Sequence, residues 1–425
     1  MRERNGNNCC FFFLYTVVWG LALPFTFFSP RLRQGLASRM GRNLPRGPFD
    51  LWIQAASVGE CQLAVRLVQE VRSRKELKIL VTTCTREGKK ILDDDLDREG
   101  CVSAYFPFDL PGIMKKAFLG ITPRAAVLLE TEIWPGFMRE CSRRSIPLIT
   151  ANARMSTKSY ARYLRLGSRL KKYGPNEVVA VSEQDARRYV DIFPLARATV
   201  APNMKFDALD PEEPIPFVDN PLSDLFGPRP YLFVLASVRE QEERYVREII
   251  RSLLSRHPAA VIALFPRHMH RIRTWEDFFK KQGINYSLRS KIQEKAAPGS
   301  VILWDGFGEL KYAYALARSA YVGGSLVSCG GQNFLEAIEQ GVVPCIGPHW
   351  FNFAWAGREI LSTGLAREVE DPAFMADCLE ALPPSNREKV CADFRDYLQK
   401  RKGGSGTNAE RILAALDAER FCPPD

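Results

Sequence analysis

Histidine is scarce in this chain. Only four occur in 425 residues, His257, His268, His270 and His349, and none belongs to an HExxH pattern or to a Cys/His cluster. A zinc site built by the protein is therefore not expected. The eleven cysteines are odd in number and form no CxxC pair, which argues against a disulfide framework and fits a reducing compartment. Glycine and proline are too few for a disordered chain, and there is no internal repeat or low-complexity tract. With 46% hydrophobic and 25% charged residues, a chain of this length has the material for two domains with real cores.

Acidic residues are nearly missing from one place, the N-terminus. Residues 1–46 hold seven arginines (Arg2, Arg4, Arg31, Arg33, Arg39, Arg42, Arg46) against Glu3 alone, leaving +6 of the chain's +10 there. Between the first two and the last five lies CCFFFLYTVVWGLALPFTFF, residues 9–28, without a charge. About 20 apolar residues suffice to span a bilayer, so an N-terminal membrane anchor is expected over 1–46. A signal peptide is the alternative, but no small-residue cleavage site follows the run. An interfacial helix is another form the anchor can take. The flanking arginines place the bulk of the protein on the cytoplasmic side and point to an anionic membrane surface rather than nucleic acid.

Strand-like runs then alternate with amphipathic stretches: 51–56, 78–83, 101–108, 125–130, 147–153 and 177–182, and again 231–237, 260–266, 300–305, 319–325 and 342–348. This βαβα rhythm predicts parallel sheets with helices on both faces. Seven prolines between 202 and 230 mark a linker. The expected organisation is an N-terminal domain over 47–208, a linker over 209–230 and a second α/β domain over 231–385. A ligand cleft is expected between the domains. A charged helical tail over 386–425 is expected to pack back on the first domain.

Candidate chemistry collects where strands end. WIQAASVGE (52–60) runs from a strand through small residues to Glu60, at the start of a helix-like stretch. An acid there complements the helix dipole, yet the carboxyl edge of an α/β sheet is also where active-site residues gather. Glu130 and Glu132 end the fourth strand in the same way, and converging acids can divide into a base and an electrostatic stabiliser. Lys205, in PNMKFDAL, is a cation at the mouth of the linker. Arg267 and His268 end a strand of the second domain, where Arg offers a bidentate fork to phosphate. YVGGSLVSCGGQNFLEAIEQG (321–341) has two glycine pairs around a strand-to-helix turn, open to close backbone approach by a ligand and to phosphate at the helix N-terminus. Glu336 could accept from ribose hydroxyls. The stretch matches neither GxGxxG nor GxxxxGK[ST], so an ordinary Rossmann or P-loop nucleotide site is not supported.

Taken together, ASVGE (56–60), ETEIWP (130–135), NARMSTKSY (152–160), NMKFD (203–207), PRH (266–268), GEL (308–310) and VGGSLV..GGQNFLEA (322–337) resemble the bacterial 3-deoxy-D-manno-octulosonic acid (Kdo) transferases. The resemblance implies a glycosyltransferase-B fold, two Rossmann-like doubly wound domains facing a central cleft, with an N-terminal anchor helix. It implies inverting, metal-independent transfer of Kdo from CMP-Kdo to a lipid A precursor of the lipid IVA type, in lipopolysaccharide biosynthesis at the cytoplasmic face of the bacterial inner membrane. No cofactor is implied. By motif, Glu60 is the general base, and Glu130 and Lys205 stabilise the transition state. Arg267, His268, Phe307, Gly308, Glu309, Asn333, Phe334, Leu335 and Glu336 form the CMP site. The chain departs from the family in Gln332, where His is usual, in LASVREQEE (235–243), which lacks the usual Thr-His, and in Pro202, where Gly is commoner. Two other readings stand beside this one, a sugar-nucleotide epimerase of the same architecture and a non-catalytic nucleotide-binding protein at a membrane.

Overall fold

The computed structural model describes residues 3–26, 28, 30–96, 101–211, 213–228, 230–292, 294–382 and 386–418. Arg2 of the expected basic flank, Phe27 of the apolar run and residues 419–425 of the tail lie outside them.

The chain forms two compact units. One takes the residues up to Ala208 together with the chain from Arg401 onward, and the other is Leu209–Lys400. The first unit holds strands β1 (Phe49–Ala55), β2 (Ile79–Thr83), β3 (Val102–Tyr105), β4 (Pro123–Leu129), β5 (Leu148–Ala153), β6 (Glu177–Ala180) and β7 (Arg197–Val200). All pair in parallel, in the order β3-β2-β1-β4-β5-β6-β7. The central strands are covered on both faces and so read as continuous apolar runs. On β1, Leu51 and Ile53 enter one core with Val81 and Val127, while Trp52 enters the other with Phe118 and Phe137.

The second unit repeats the plan with β8 (Leu232–Val238), β9 (Val261–Pro266), β10 (Tyr286–Leu288), β11 (Ser300–Leu303), β12 (Ser319–Val322), β13 (Pro344–Ile346) and β14 (Arg367–Glu368). These are again parallel, in the order β10-β11-β9-β8-β12-β13-β14. In both sheets the first strand lies inside and the order reverses beside it. That is the switch point where open α/β sheets place their ligands.

Three expectations change. The apolar run does not stand free. A helix covers Glu3–Thr26, and its inward face is docked on the first unit, with Phe12 buried, Phe11 and Tyr15 packed against the same core and Trp19 against Phe108. Among the described residues no helix is long and apolar enough to cross a membrane. The proline-rich stretch expected as a linker folds onto the second unit, where buried Asn220 donates to the carbonyl of Tyr312 and accepts from the N–H of Leu222.

The tail, expected as one body on the first domain, is divided. The helix Arg387–Gln399 buries Cys391, Phe394 and Leu398 within the second unit. The chain then turns at Gly403, with φ of 102°, where a side chain would be strained. The helix Gly404–Asp417 follows and packs Ala409, Ile412 and Leu416 into the first core.

Candidate active site

β1 hands over to the helix Val58–Arg72 through Ala56 and Ser57. The Ser57 hydroxyl caps the helix by accepting from the N–H of Glu60, and it donates to Glu60 Oε1 at 2.9 Å. Glu60 Oε2 accepts from the N–H of Ala56 at 2.7 Å. The dipole-complementing and site readings of Glu60 thus coexist: it belongs to a cap, and it is a nearly buried acid at the carboxyl edge of the sheet. Burial raises its pKa above the usual carboxylate range. The hydrogen bonds from Ala56 and Ser57 oppose the shift, and the negative charge of Glu130 adds to it.

Glu130, just past β4, has φ of 53°, a conformation that a non-glycine residue holds only when its surroundings impose it. Its N–H donates to Ala151, and its carbonyl accepts from the Tyr189 hydroxyl at 2.8 Å. Its buried carboxylate is clamped by two cations, Lys205 Nζ at 2.8 Å and Arg154 at 2.7 Å. Two residues on, Glu132 accepts from the Trp134 indole. Its carboxyl is pushed up to about 7, first by burial and then by the charge of Glu60. Three acids therefore share one strand edge. Glu130 is paired, while Glu60 and Glu132 are held above the range in which carboxyls normally ionise. Acids crowded together with different partners are suited to divide acid, base and electrostatic roles.

Lys205 is positioned through asparagines. The side chain of Asn203 accepts from the N–H of Lys205, and Asn152, itself at φ of 50°, accepts from the N–H of Met204. Asn152 also donates to Asn203. Buried Asn408, on the last helix, accepts from the N–H of Asn152 at 3.0 Å. The Asp207 carboxylate accepts from the N–H groups of Gly403 and Ser405, fixing the start of that helix against the same segment.

In the second unit, Arg267 and His268 follow β9, and the Arg267 N–H is tied to the carbonyl of Val238. Phe307 is 79% exposed, and Gly308 has φ of 92°. Glu309 is fully engaged: Arg289 grips it in a fork at 2.8 and 2.9 Å, and the Trp304 indole donates to it at 2.8 Å. The helix that follows the second glycine pair spans Leu335–Glu339. Asn333 occupies its approach, accepting from the N–H of Leu335 and donating to Glu336 at 2.8 Å. Phe334 and Leu335 are buried, so the exposed contribution of this run is its backbone with Asn333 and Glu336.

Two residues of consequence are absent from the expected set. Arg154 lies in NARMS, one residue past β5, and its place at a strand's carboxyl end is the signal that marks it. Glu242 lies in the segment noted only for departing from the family. It is fully buried and accepts from the N–H groups of Arg239 and Gly324 and from the Tyr321 hydroxyl. Burial raises its pKa. It braces the first glycine pair: a Cβ at Gly323 would lie 2.5 Å from its oxygen and 2.6 Å from the carbonyl of Ser237.

Residues 31–208 match the family model of 3-deoxy-D-manno-octulosonic-acid transferase (kdotransferase). The chain is 31% identical to the 3-deoxy-D-manno-octulosonic acid transferase of Haemophilus influenzae, over 91% of this chain and 92% of that protein. It is also 31% identical to the enzyme of the same name from Bordetella pertussis, over 89% of this chain and 90% of that one. Among solved structures, UDP-GlcNAc 2-epimerase of Neisseria meningitidis aligns over 87% of this chain and 99% of its own, with a TM-score of 0.50 at 11% identity. MurG of Acinetobacter baumannii aligns over 87% of this chain and 100% of its own, also with a TM-score of 0.50 at 11% identity. These likenesses show the shared fold, an α/β architecture of the glycosyltransferase-B type with two parallel sheets. With that fold, and with the relatedness to the two transferases extending over nine-tenths of its length, the chain belongs to the Kdo transferase family of glycosyltransferases.

Proposed function

We propose that the protein transfers Kdo from CMP-Kdo to a phosphorylated lipid A precursor of the lipid IVA type, with inversion and without a metal. The observation that carries this reading is the first unit's acid edge, where Glu130 is clamped by Lys205 and Arg154 beside a carboxyl, Glu60, whose pKa is raised. In the reaction, an acceptor hydroxyl oxygen attacks the anomeric carbon of Kdo as the bond to the CMP phosphate breaks. Glu60, in its ionised form, takes the hydroxyl proton, a general-base contribution of typically 10²–10⁴-fold. Its raised pKa makes it a stronger base than an ordinary carboxylate. Glu130, clamped between its two cations, faces the positive character that develops at the anomeric carbon. Arg267, His268, Phe307, Gly308, Glu309 and Asn333 to Glu336 hold CMP, with backbone N–H groups and Arg267 meeting the phosphate.

The same reading takes the protein to the cytoplasmic face of a bacterial inner membrane. The N-terminal helix presents Phe13, Leu14, Val18, Leu21 and Phe25 outward, and Phe28 is exposed just beyond it, beside the arginine-rich flank. An apolar face next to basic residues suits attachment at the interface.

The test is to incubate the purified protein with lipid IVA and a CMP-Kdo-generating system and to weigh the products. An increment of one or more Kdo units supports the proposal, and unchanged lipid contradicts it. The fold likeness to UDP-GlcNAc 2-epimerases motivates one other reading. Epimerised sugar from UDP-GlcNAc without an acceptor would favour it.

A further inference from the structure

Asp109 is fully buried and far in sequence from the acids described above. Its Oδ2 accepts from the Tyr15 hydroxyl at 2.7 Å and from the N–H of Gly136 at 2.8 Å, and its Oδ1 accepts from the N–H of Phe137 at 2.7 Å. Gly136 and Phe137 begin the helix Pro135–Arg143, so Asp109 takes up two of the donors that a helix start leaves unpaired. The fit is close: a Cβ at Gly136 would lie 2.7 Å from Asp109 Oδ1.

That helix ends the ETEIWP turn. At the turn's start, Glu130 is fixed by Tyr189 and Ala151. At its end, Asp109 fixes Gly136, while the Trp134 ring packs on Phe106 at 5.0 Å with its indole on Glu132. Glu130 and Glu132 thus ride on a turn pinned at both ends. The third donor to Asp109 comes from the N-terminal helix, which lies outside the residues matched by the family model. That helix meets Pro135–Arg143 a second time, where the Arg139 guanidinium lies 4.3 Å from the Phe12 ring centre. Removing the Tyr15 hydroxyl leaves a buried carboxylate oxygen one donor short, and such a loss is redistributed over the remaining partners.

We propose that Tyr15 and Asp109 are positioning residues for the Glu130–Glu132 turn, so that the N-terminal helix belongs to the transfer machinery in addition to any role in attachment. This rests on the Kdo-transfer reading. The test uses the full chain in detergent with lipid IVA, which takes attachment to a bilayer out of the comparison. Tyr15→Phe keeps the ring and removes one oxygen. Per CMP-binding site, its kcat is expected to fall about tenfold, since a displacement of about 1 Å can cost 10²-fold. The acidic limb of its pH profile is expected to move, because Glu60 senses the charge of Glu130 on this turn. A loss of folded protein alone would leave that limb in place.

In an Asp109→Asn background, Tyr15→Phe is expected to add less than a twofold further loss. Hydrogen exchange over residues 130–138 reads the same claim without any activity. It is expected to accelerate at least tenfold in Tyr15→Phe, and it remains decisive if Asp109→Asn does not fold or if the transfer reading itself fails. An unchanged exchange rate in Tyr15→Phe would overturn the proposal, as would wild-type kcat with an unmoved acidic limb.

Discussion

The carboxyl edges of the two sheets are built from the same kinds of residue and treat their acids in opposite ways. In the second unit each acid at the edge has a partner of its own. Glu242 takes N–H groups and a tyrosine hydroxyl, Glu309 takes an arginine fork and an indole, and Glu336 takes the Asn333 amide. In the first unit, Glu60, Glu130 and Glu132 lie close enough to perturb one another, with two cations on Glu130 alone. Satisfied acids hold a backbone in place, whereas crowded acids exchange protons. On the proposed reading, one edge is a frame that presents glycines and N–H groups to CMP, and the other carries the chemistry.

That contrast can be broken by substitution. The largest effect is expected for Glu60→Gln, which keeps the shape and the bond from Ala56 but cannot accept a proton. Transfer is expected to fall about 10³-fold, within the usual range for a general base. Lys205→Ala follows, with a loss of about 10²-fold from removing one of the two charges on Glu130, measured as kcat at saturating donor. Arg154→Ala is expected to cost less, because Arg154 is the more exposed of the two cations. In the frame unit, Glu242→Gln can keep a carbonyl oxygen on the Arg239 and Gly324 N–H groups but turns an amide to the Tyr321 hydroxyl in place of the oxygen that accepts from it. It is expected to lower stability by about 1–3 kcal/mol and to weaken CMP binding, with the pH profile unmoved.

The smallest effect is a pH dependence of the first unit's stability. Asp109 and Glu132 are both pushed up to about 7, chiefly by burial, so the folded state binds their protons more tightly than the unfolded chain does. Their contribution is fully present below the ordinary carboxylate range and is lost as the pH rises through about 7. Glu132→Gln is expected to flatten the fall in melting temperature between pH 4.5 and pH 7, the span from its ordinary value to its raised one. An unchanged slope would count against the crowding on which the contrast rests.

Much of this was legible in the sequence. Eleven apolar runs, most of them separated by amphipathic stretches, correspond to eleven strands, because most of these strands are covered on both faces and so are apolar throughout. The strands that escape notice are β7, β10 and β14. All three lie at or beside a sheet edge, where exposure permits polar residues such as those of Arg197–Val200. Glu60, Glu130 and Lys205 stood out because they end strands or flank the linker. Glu242 did not, because a glutamate in a charged segment ordinarily faces solvent, and Arg154 goes unmarked although it follows its strand as Arg267 does. Neither Asn408 beneath Asn152 nor Asp109 beneath Tyr15 follows a local pattern. Each depends on segments more than ninety residues apart meeting in space.

The division of labour between the edges is tested most directly by measuring CMP affinity and Kdo transfer side by side in Glu60→Gln and Glu242→Gln. Glu60→Gln is expected to bind CMP as the wild type does and to transfer almost nothing, while Glu242→Gln is expected to bind CMP more weakly and to keep the wild-type pH profile. Turnover near wild type in Glu60→Gln, or a loss of CMP binding equal to its loss of transfer, would contradict it.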